Sequence, residues 1–166
     1  MKIVLIFFFL FGLSQAKVFT RCDLAKELVA KGIPRADLEN WVCLIEAQSG
    51  SNTALKTGPT KNNNYGHGIF QIYDTFWCKT GSAGGDCNIK CEDLRNDDIT
   101  DDIQCALMIK QRHGYDAWYG WKDMCKNQPL PSINNYGHGI FQIYDTFWCK
   151  TGSAGGDCNI KCEDLQ

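Results

Sequence analysis

The sequence predicts an α+β domain, in which a largely helical chain is interrupted by a small β-region and held together by disulfide bonds. Leu38, Trp41 and Ile45 recur at helical spacing, which predicts a helix. Residues 50–68 are rich in Gly, Asn, Thr and Pro, as is typical of turns, and residues 69–77 are strand-like. Ten cysteines in a chain of this size indicate a disulfide framework rather than a zinc site.

Helix boundaries can be predicted at both ends of the domain. Thr20, with Asp23 three residues later, resembles a capping box that opens the first helix. Thr100 is expected to cap a third helix. Trp118 and Trp121 fall on a further short helix, after which two prolines end the domain.

The first sixteen residues have the form of a secretory signal peptide. A positively charged start precedes the apolar residues 3–13, and Ser14 and Ala16 place small side chains at the −3 and −1 positions of a cleavage site before Lys17. The apolar run is short for a membrane span, although a signal anchor is the alternative. We therefore expect a secreted, extracellular chain with no membrane association.

Length and charge restrict the function. A mature chain starting at Lys17 is long enough for one domain with a proper core. The formal net charge is −2, and loss of Lys2 with the leader would make it −3. Polyanions such as nucleic acids and bacterial walls recruit basic proteins. The charge therefore argues against nucleic-acid binding and weakens a defensive role at the bacterial wall.

The chain contains one internal repeat. Residues 63–94 recur without a single change as residues 134–165. Repeat architectures diverge and occur in threes or more, so a single verbatim copy indicates a recent exon duplication or a gene-model artefact. The copy lacks the helices on which the β-region would pack. If it is real, we expect residues 134–166 to be loosely packed or to compete with residues 63–94 for one docking site, which would favour domain-swapped dimers.

Three runs of sequence carry a resemblance to a known family. Residues 17–19 read Lys-Val-Phe, residues 41–48 read Trp-Val-Cys-Leu-Ile-Glu-Ala-Gln, and residues 64–72 read Asn-Tyr-Gly-His-Gly-Ile-Phe-Gln-Ile, followed by Phe-Trp-Cys at 76–78. With the cysteine spacing, residues 17–133 resemble the c-type lysozyme and α-lactalbumin family, and insect-like c-type lysozymes in particular. The resemblance implies the c-type lysozyme fold, a disulfide-stapled helical domain with a small antiparallel β-region.

The resemblance also implies a disulfide pattern. The implied pairs are Cys43 with Cys125, Cys78 with Cys91, and Cys87 with Cys105. Cys22 should pair near the C-terminus, where the repeat has overwritten the expected position. Within the repeat, Cys149 and Cys162 correspond to a bonding pair. Pairing Cys22 with Cys158 would then balance the count.

Both catalytic carboxylates of the family are missing. Catalytic members use a glutamic acid as proton donor and an ionised aspartate beside the sugar. The corresponding positions are Gln48, five residues after Cys43, and Gly66, two residues before the Gly-Ile-Phe-Gln-Ile run. An amide has no dissociable proton, and general acid–base catalysis is commonly worth about 10²–10⁴-fold. We therefore expect no catalytic residues and almost no turnover by the family route.

No neighbouring group is expected to replace these acids. Glu46 lies two residues before Gln48, so the two side chains diverge by about 200° on a helix. Asp74 follows the strand and is expected to be structural. His67 is expected to be exposed in a loop, with a titrating role as the alternative. A local shift of the alignment would place Asn64 at the aspartate position, which still supplies no carboxylate.

The cleft that the resemblance implies keeps part of its sugar-binding surface. Trp77 and Trp118 match tryptophans that line the sugar groove of the family, and Phe76 keeps an aromatic ring beside them. Gln71 belongs to the run described above and is a further candidate for substrate binding. Aromatic faces support glycan binding without catalysis. Against this, Tyr73 replaces an asparagine that normally recognises the N-acetyl group.

The acidic loop, residues 93–102, resembles the calcium loop of α-lactalbumin. The resemblance implies side-chain ligands from Asn96, Asp101 and Asp102, and backbone carbonyl ligands from Asp93 and Asp98. Oxygen ligands suit this hard cation, and Asn96 replaces a usual aspartate, which should lower the affinity. The alternative is that the acids stabilise a helix start without any ion.

Three functions therefore compete. The first is a secreted, non-catalytic lysozyme-like protein that binds a glycan such as peptidoglycan, or a protein partner, through its cleft. The second is a calcium-binding regulatory subunit of the α-lactalbumin kind. The third is an active muramidase that hydrolyses the β-1,4 bonds of peptidoglycan with an unconventional acid.

Overall fold

The computed structural model describes residues 16–131 and 133. Residues 1–15 of the predicted signal peptide and the C-terminal repeat, with Cys149, Cys158 and Cys162, lie outside the described residues. Within the part that is described, no helix is long and apolar enough to cross a membrane.

Four α-helices build the larger part of the described fold. They are α1 (Arg21–Ala30), α2 (Leu38–Ser49), α3 (Thr100–His113) and α4 (Tyr119–Met124). Short 3-10 helices at Arg35–Asp37, Asp93–Arg95 and Tyr115–Ala117 connect them. Helix α2 packs against both α1 and α4, so it forms the centre of the helical part.

The two predicted helix starts have different outcomes. At α1 the prediction is confirmed, because the hydroxyl of Thr20 accepts the backbone N–H of Asp23 at 3.2 Å. At α3 the predicted cap is wrong, because Thr100 is already the first helical residue. The carboxylate of Asp98 accepts the backbone N–H of Thr100 at 3.1 Å and its hydroxyl at 2.5 Å. Asp98, two residues before the helix, therefore accepts the first helical N–H, as a capping side chain would.

The β-region contains a three-stranded antiparallel sheet. Strands β1 (Lys56–Thr57), β2 (Gly66–His67) and β3 (Ile72–Tyr73) lie in that order. Strand β4 (Cys78–Lys79) pairs in parallel with β5 (Ile89–Lys90). The antiparallel sheet implied by the resemblance is confirmed.

The prediction of one continuous strand over residues 69–77 is wrong, because only β3 is extended. Gly68 and Gln71 have positive φ angles of 71° and 51°, and they turn the chain before β3. A Cβ atom at Gly68 would lie 1.8 Å from the backbone oxygen of Leu94, so glycine is required there both for its φ angle and for the close approach.

Three disulfide bonds join the elements as the resemblance implied. They are Cys43–Cys125 between α2 and the end of α4, Cys78–Cys91 within the β-region, and Cys87–Cys105 between the β-region and α3. Cys22 is also disulfide-bonded. Its predicted partner, Cys158, lies outside the described residues.

Trp41 of α2 lies at the centre of the apolar core. Its ring is fully buried and meets Phe70, Tyr115 and Trp118 edge to face, at centroid distances of 5.6, 5.1 and 5.7 Å. Phe70 comes from the turn before β3, whereas Tyr115 and Trp118 lie between α3 and α4. One side chain therefore holds the β-region and both C-terminal helices against α2.

Replacing Trp41 by alanine is expected to lower the free energy of unfolding by about 3–5 kcal/mol, because it leaves a cavity where three aromatic rings meet. Trp41→Phe should fall between the wild type and this variant. Urea unfolding followed by circular dichroism measures the effect. Met124→Ala is the control, since Met124 is 65% exposed, and it should change the value by no more than about 0.5 kcal/mol. Equal effects of the alanine variants would contradict the central role of Trp41.

Candidate functional site

An open cleft of about 320 Å³ lies where α2, the β-region and α4 meet. Its polar and aromatic lining consists of two amides, two phenols and two indoles: Gln48, Gln71, Tyr73, Tyr119, Trp77 and Trp118. No carboxylate, lysine or arginine belongs to the described lining.

Gln48 reaches the cleft from the last turn of α2. Its side chain packs against the backbone of α4, because a Cβ atom at Gly120 would lie 3.0 Å from Gln48 Nε2. The position predicted for the missing catalytic glutamate therefore does lie in the cleft. What stands there is an amide, which can donate and accept hydrogen bonds but cannot release a proton.

Gly66 lies on β2, paired with Thr57 on one side and Tyr73 on the other. A Cβ atom at Gly66 would lie 2.6 Å from Gln71 Oε1 and 3.1 Å from Thr57 Oγ1. The space for a side chain beside Gly66 is therefore occupied by Gln71. The sequence showed that position 66 lacks a carboxylate, but it gave no signal that Gln71 occupies the space beside it.

The amide of Gln71 is held in place by the β-region itself. Its oxygen accepts the hydroxyl of Thr57 at 2.5 Å, and its nitrogen donates to the backbone oxygens of Leu55 at 3.1 Å and Gly68 at 2.7 Å. Gln71 was predicted to bind substrate, and it does line the cleft. Because the polar atoms of Gln71 are hydrogen-bonded within the protein, the side chain forms part of the cleft surface and is not free to bond a ligand.

The predicted aromatic residues lie at different depths. Trp118 is buried, and its indole N–H donates to the backbone oxygen of Phe70 at 3.0 Å. Trp77 is half-buried, with its ring edge-on to His113 at 5.7 Å. Phe76 is 66% exposed beside it and is not part of the cleft lining. Trp118 therefore forms the floor of the cleft and Trp77 part of its wall.

Tyr119 is a cleft residue that the sequence analysis missed. It is the first residue of α4, is 66% exposed, and lines the cleft beside Gln48. Lys122 lies one turn later, with its ammonium group 4.0 Å from the centroid of the Tyr119 ring. The position of Tyr119 next to Trp118 in the sequence was the available signal. The ring offers a solvent-facing aromatic surface at the mouth of the cleft.

The nearby acids are engaged elsewhere. Glu46 accepts two hydrogen bonds from the Arg21 guanidinium, at 2.7 and 2.9 Å, on the outer side of α2. Asp74 accepts the backbone N–H of Tyr65 at 2.9 Å. Neither lines the cleft, as the helical spacing and the position after the strand predicted.

His67 is buried, which corrects the expectation of an exposed loop histidine. It is 1% exposed, and neither ring nitrogen has a hydrogen-bond partner. Gly66 adjoins the cleft residue Gln71, whereas the neighbouring side chain of His67 lies in the interior. Burial lowers the pKa of His67, and the positive charge of Arg95 lowers it further, whereas Asp74, 3.9 Å from Nε2, acts against this.

The acidic loop contains one buried carboxylate without a partner. Asp102 is 1% exposed, and neither of its carboxylate oxygens has a hydrogen-bond donor. Burial, and after it the negative charge of Asp101, raise the pKa of Asp102 to about 9. A buried carboxylate of this kind requires a proton or a cation to neutralise it. The donor set of oxygens therefore fits a hard cation.

The other predicted ligands of the acidic loop are exposed or half-buried. The side chain of Asn96 donates to the backbone oxygen of Asp93 at 2.8 Å and accepts the N–H of Asp98 at 2.8 Å. The carboxylate of Asp98 binds the ammonium group of Lys31 at 3.0 Å. The predicted ligand from Asp98 is its backbone oxygen, so this ion pair does not exclude a bound cation.

Comparison with known proteins identifies the family. Residues 17–136 match the model of the C-type lysozyme/alpha-lactalbumin family. Lysozyme c-1 of Anopheles gambiae is 46% identical over 124 residues, which cover 75% of this chain and 88% of the relative. A lysozyme of Bombyx mori is 48% identical over 123 residues, 74% of this chain and 88% of the relative.

Solved structures agree with the sequence comparison. The crystal structure of lysozyme from Equus asinus aligns with a TM-score of 0.62 at 37% identity, covering 68% of this chain and 92% of that chain. Wild-type canine milk lysozyme in its apo form aligns with a TM-score of 0.63 at 37% identity, with the same coverage. The chain belongs to the C-type lysozyme/alpha-lactalbumin family, with an insect-like sequence and the α+β, disulfide-stapled fold.

Burial of His67 predicts a pH dependence of stability. The lowered pKa means that the unfolded chain takes up a proton at His67 more readily than the folded chain. The contribution of His67 is therefore present above about pH 6.5, the usual histidine value, and is lost as the pH falls towards the folded-state pKa. Unfolding free energies of the wild type and His67→Gln should consequently converge or cross between pH 7 and pH 5.

His113→Gln is the matched control for this measurement. His113 lies on the surface at the end of α3. Comparing each variant with the wild type at the same pH removes the contribution of the acidic residues. A His67→Gln difference that stays constant from pH 7 to pH 5 would contradict the proposed effect of burial.

Proposed function

We propose that this protein is a secreted, non-catalytic member of the family that binds glycan chains of the N-acetylglucosamine type in its cleft. The observation that carries the proposal is a pair of neutral positions: Gln48 lines the cleft, and Gly66 adjoins Gln71, which also lines it. Gln48 and Gly66 stand where an acid and a carboxylate would be needed, and no other carboxylate lines the described cleft. The relatives cited above are named lysozymes, which supports a glycan as the ligand class.

Hydrolysis is disfavoured at each chemical step. Departure of the sugar oxygen needs a proton, and the Gln48 amide has none to give. The developing positive charge on the sugar needs an anion beside it, and the place beside Gly66 holds the neutral amide of Gln71. The outward ion pair of Glu46 with Arg21 leaves that acid unavailable. Binding without turnover is therefore the chemistry that this cleft supports.

The lining suits a neutral sugar. Aromatic rings bury the apolar face of a pyranose, and Trp77 and Tyr119 present such faces at the wall and mouth of the cleft. Gln48 supplies both a donor and an acceptor for a hydroxyl or acetamido group. Ile109 and Ala117 complete an apolar floor. A protein partner of the α-lactalbumin kind is the second candidate, and it depends on the acidic loop.

We further propose that the acidic loop binds calcium. The observation in favour is Asp102, whose buried carboxylate has no partner. Asn96 and Asp101 would add side-chain oxygens, and Asp93 and Asp98 would add backbone oxygens. Oxygen-only coordination from one compact loop is typical of calcium, and the ion would neutralise the buried charge.

Binding and hydrolysis are expected to separate in a direct assay. The mature chain should bind chitotetraose in calorimetric titration and should release no new reducing ends from chitin oligomers or peptidoglycan. Tyr119→Ala should weaken binding by about 2- to 10-fold, because one stacking face is lost. Met124→Ala, a similarly exposed side chain outside the cleft lining, is the control. Cleavage that survives purification would support the active-muramidase alternative instead.

Restoring the acids tests why activity is absent. The double variant Gln48→Glu/Gly66→Asp should gain measurable hydrolysis, while Gln48→Glu alone should gain almost none. The double variant should also unfold more easily, because a side chain at position 66 must displace the amide of Gln71. A double variant that folds, binds chitotetraose and remains inert would show that missing acids are not the reason for inactivity.

Calcium is expected to raise the melting temperature of the mature chain relative to a chelator. Asp102→Asn should abolish this shift, because the buried ligand loses its charge. Asp97→Asn is the control, since Asp97 lies in the same loop but is not a predicted ligand. Differential scanning calorimetry measures both. No calcium-dependent shift in the wild type would contradict the site and remove the main support for a regulatory subunit.

A further inference from the structure

A buried histidine lies beside one of the disulfide bonds. A ring nitrogen of His67 and the sulfurs of Cys78 and Cys91 all lie within 4.8 Å of one another, and the three residues are buried. His67 belongs to β2, Cys78 begins β4, and Cys91 directly follows β5. Strands from both sheets of the β-region therefore bring three metal-binding side chains to one place.

No hydrogen bond accounts for the place of the imidazole. Neither nitrogen of His67 has a hydrogen-bond partner in the described structure. Asp74 Oδ2 is 3.9 Å from Nε2, which is too far for a hydrogen bond. A neutral imidazole has one N–H donor and one free lone pair. The described fold leaves that lone pair unused next to two sulfur atoms.

We propose that His67, Cys78 and Cys91 bind zinc in the chain before the Cys78–Cys91 disulfide forms. Both cysteines are thiols in a newly synthesised chain. Binding of Zn²⁺ displaces one proton from each thiol, and the imidazole of His67 supplies the third ligand through its lone pair. The two thiolates balance the charge of the ion, so the site is neutral overall and suits a buried place.

Oxidation removes the site, because a thiolate is the metal ligand and a disulfide sulfur carries no such charge. In the oxidation, a disulfide such as oxidised glutathione takes two electrons from the two thiols. The Cys78–Cys91 bond forms, the bond of the oxidant breaks, and the two thiol protons end on the two glutathione thiols. Zinc and the oxidant therefore compete for the same pair of sulfurs, and zinc should delay this disulfide.

The surrounding geometry supports a metal at this place. The Cα atoms of Cys78 and Cys91 are 5.1 Å apart on paired strands. Two thiolates on one tetrahedral zinc are about 3.8 Å apart, for a Zn–S distance of about 2.3 Å, so side-chain rotation would bring both sulfurs onto one ion. Asp74 is held by the N–H of Tyr65 through Oδ1, and its Oδ2 is directed towards His67. A carboxylate beside a zinc-bound imidazole orients the ring.

The other described disulfides serve as internal references. Among the described residues, neither Cys43–Cys125 nor Cys87–Cys105 has a histidine or carboxylate placed to complete a group of three metal ligands. Zinc should therefore protect Cys78 and Cys91 from oxidation and leave these two pairs to form. The proposal does not depend on what the cleft binds.

Oxidative refolding of the reduced mature chain tests the site. The chain is refolded in reduced and oxidised glutathione, with calcium present throughout and with or without zinc buffered by nitrilotriacetate. Acid stops the exchange, remaining thiols are alkylated in denaturant with a chelator, and tryptic peptides are quantified by mass spectrometry. With zinc, most Cys78 and Cys91 should be recovered as thiols, whereas without zinc both should be oxidised. Magnesium should not replace zinc, because it prefers oxygen ligands.

The verbatim repeat supplies a matched control. His138 is the copy of His67, and it lies outside the described residues. Trypsin separates the copies, because Cys78 falls in the peptide of residues 62–79 and Cys149 in that of residues 127–150. His67→Gln should raise the zinc concentration that protects Cys78 and Cys91 at least about 10-fold, since even an indirect ligand contact is worth that much. His138→Gln should leave it unchanged.

Cobalt gives a readout that needs no histidine variant to fold. After refolding with cobalt and desalting, the wild type should show the intense visible bands of a tetrahedral ion and a near-ultraviolet sulfur-to-metal band. Both should be absent from Cys78→Ser/Cys91→Ser. A weak octahedral spectrum of the wild type, zinc protection shared equally with Cys43 and Cys87, or equal effects of His67→Gln and His138→Gln would overturn the proposal.

Discussion

The packing of the Trp41 ring is the contact on which the site depends. It holds Phe70 from the β-region and Trp118 from the start of α4 on two sides of one buried indole. The indole N–H of Trp118 then bonds to the backbone oxygen of Phe70, which fixes the two walls relative to each other. Since α2 also carries Gln48, the same contact sets the distance across the cleft. The shape of the cleft is thus a property of the core.

This arrangement explains how the cleft can persist without its acids. Neither Gln48 nor Gly66 contributes to the packing around Trp41, so the scaffold does not require a carboxylate at either place. The amide of Gln71, which occupies the space beside Gly66, satisfies its hydrogen bonds within the β-region. The packing of the core therefore does not depend on the two positions at which catalytic members of the family carry their acids.

Sequence reasoning predicted the elements better than their details. Periodicity identified α2, and the family resemblance implied the three disulfides that the structure describes. The prediction of a strand over residues 69–77 failed before β3. The chain turns there at Gly68 and Gln71, and Gly68 closely approaches Leu94, a residue remote in sequence. The predicted exposure of His67 was also wrong. Strand β2 has only two residues, which is too short for a pattern of alternating burial to show in the sequence. Tyr119 was missed because its place next to Trp118 does not by itself show that the ring lines the cleft.

The occupation of the space beside Gly66 has a consequence for the history of this chain. Regaining a carboxylate there would require the new side chain to enter a place that Gln71 fills, at the expense of a bond to Thr57. Gly66→Asp alone would thus lower stability, while Gln48 would still have no proton to donate. Selection acting on one substitution at a time would oppose the return. Under the proposed non-catalytic function, the filled space beside Gly66 is therefore a barrier to a stepwise gain of the two acids.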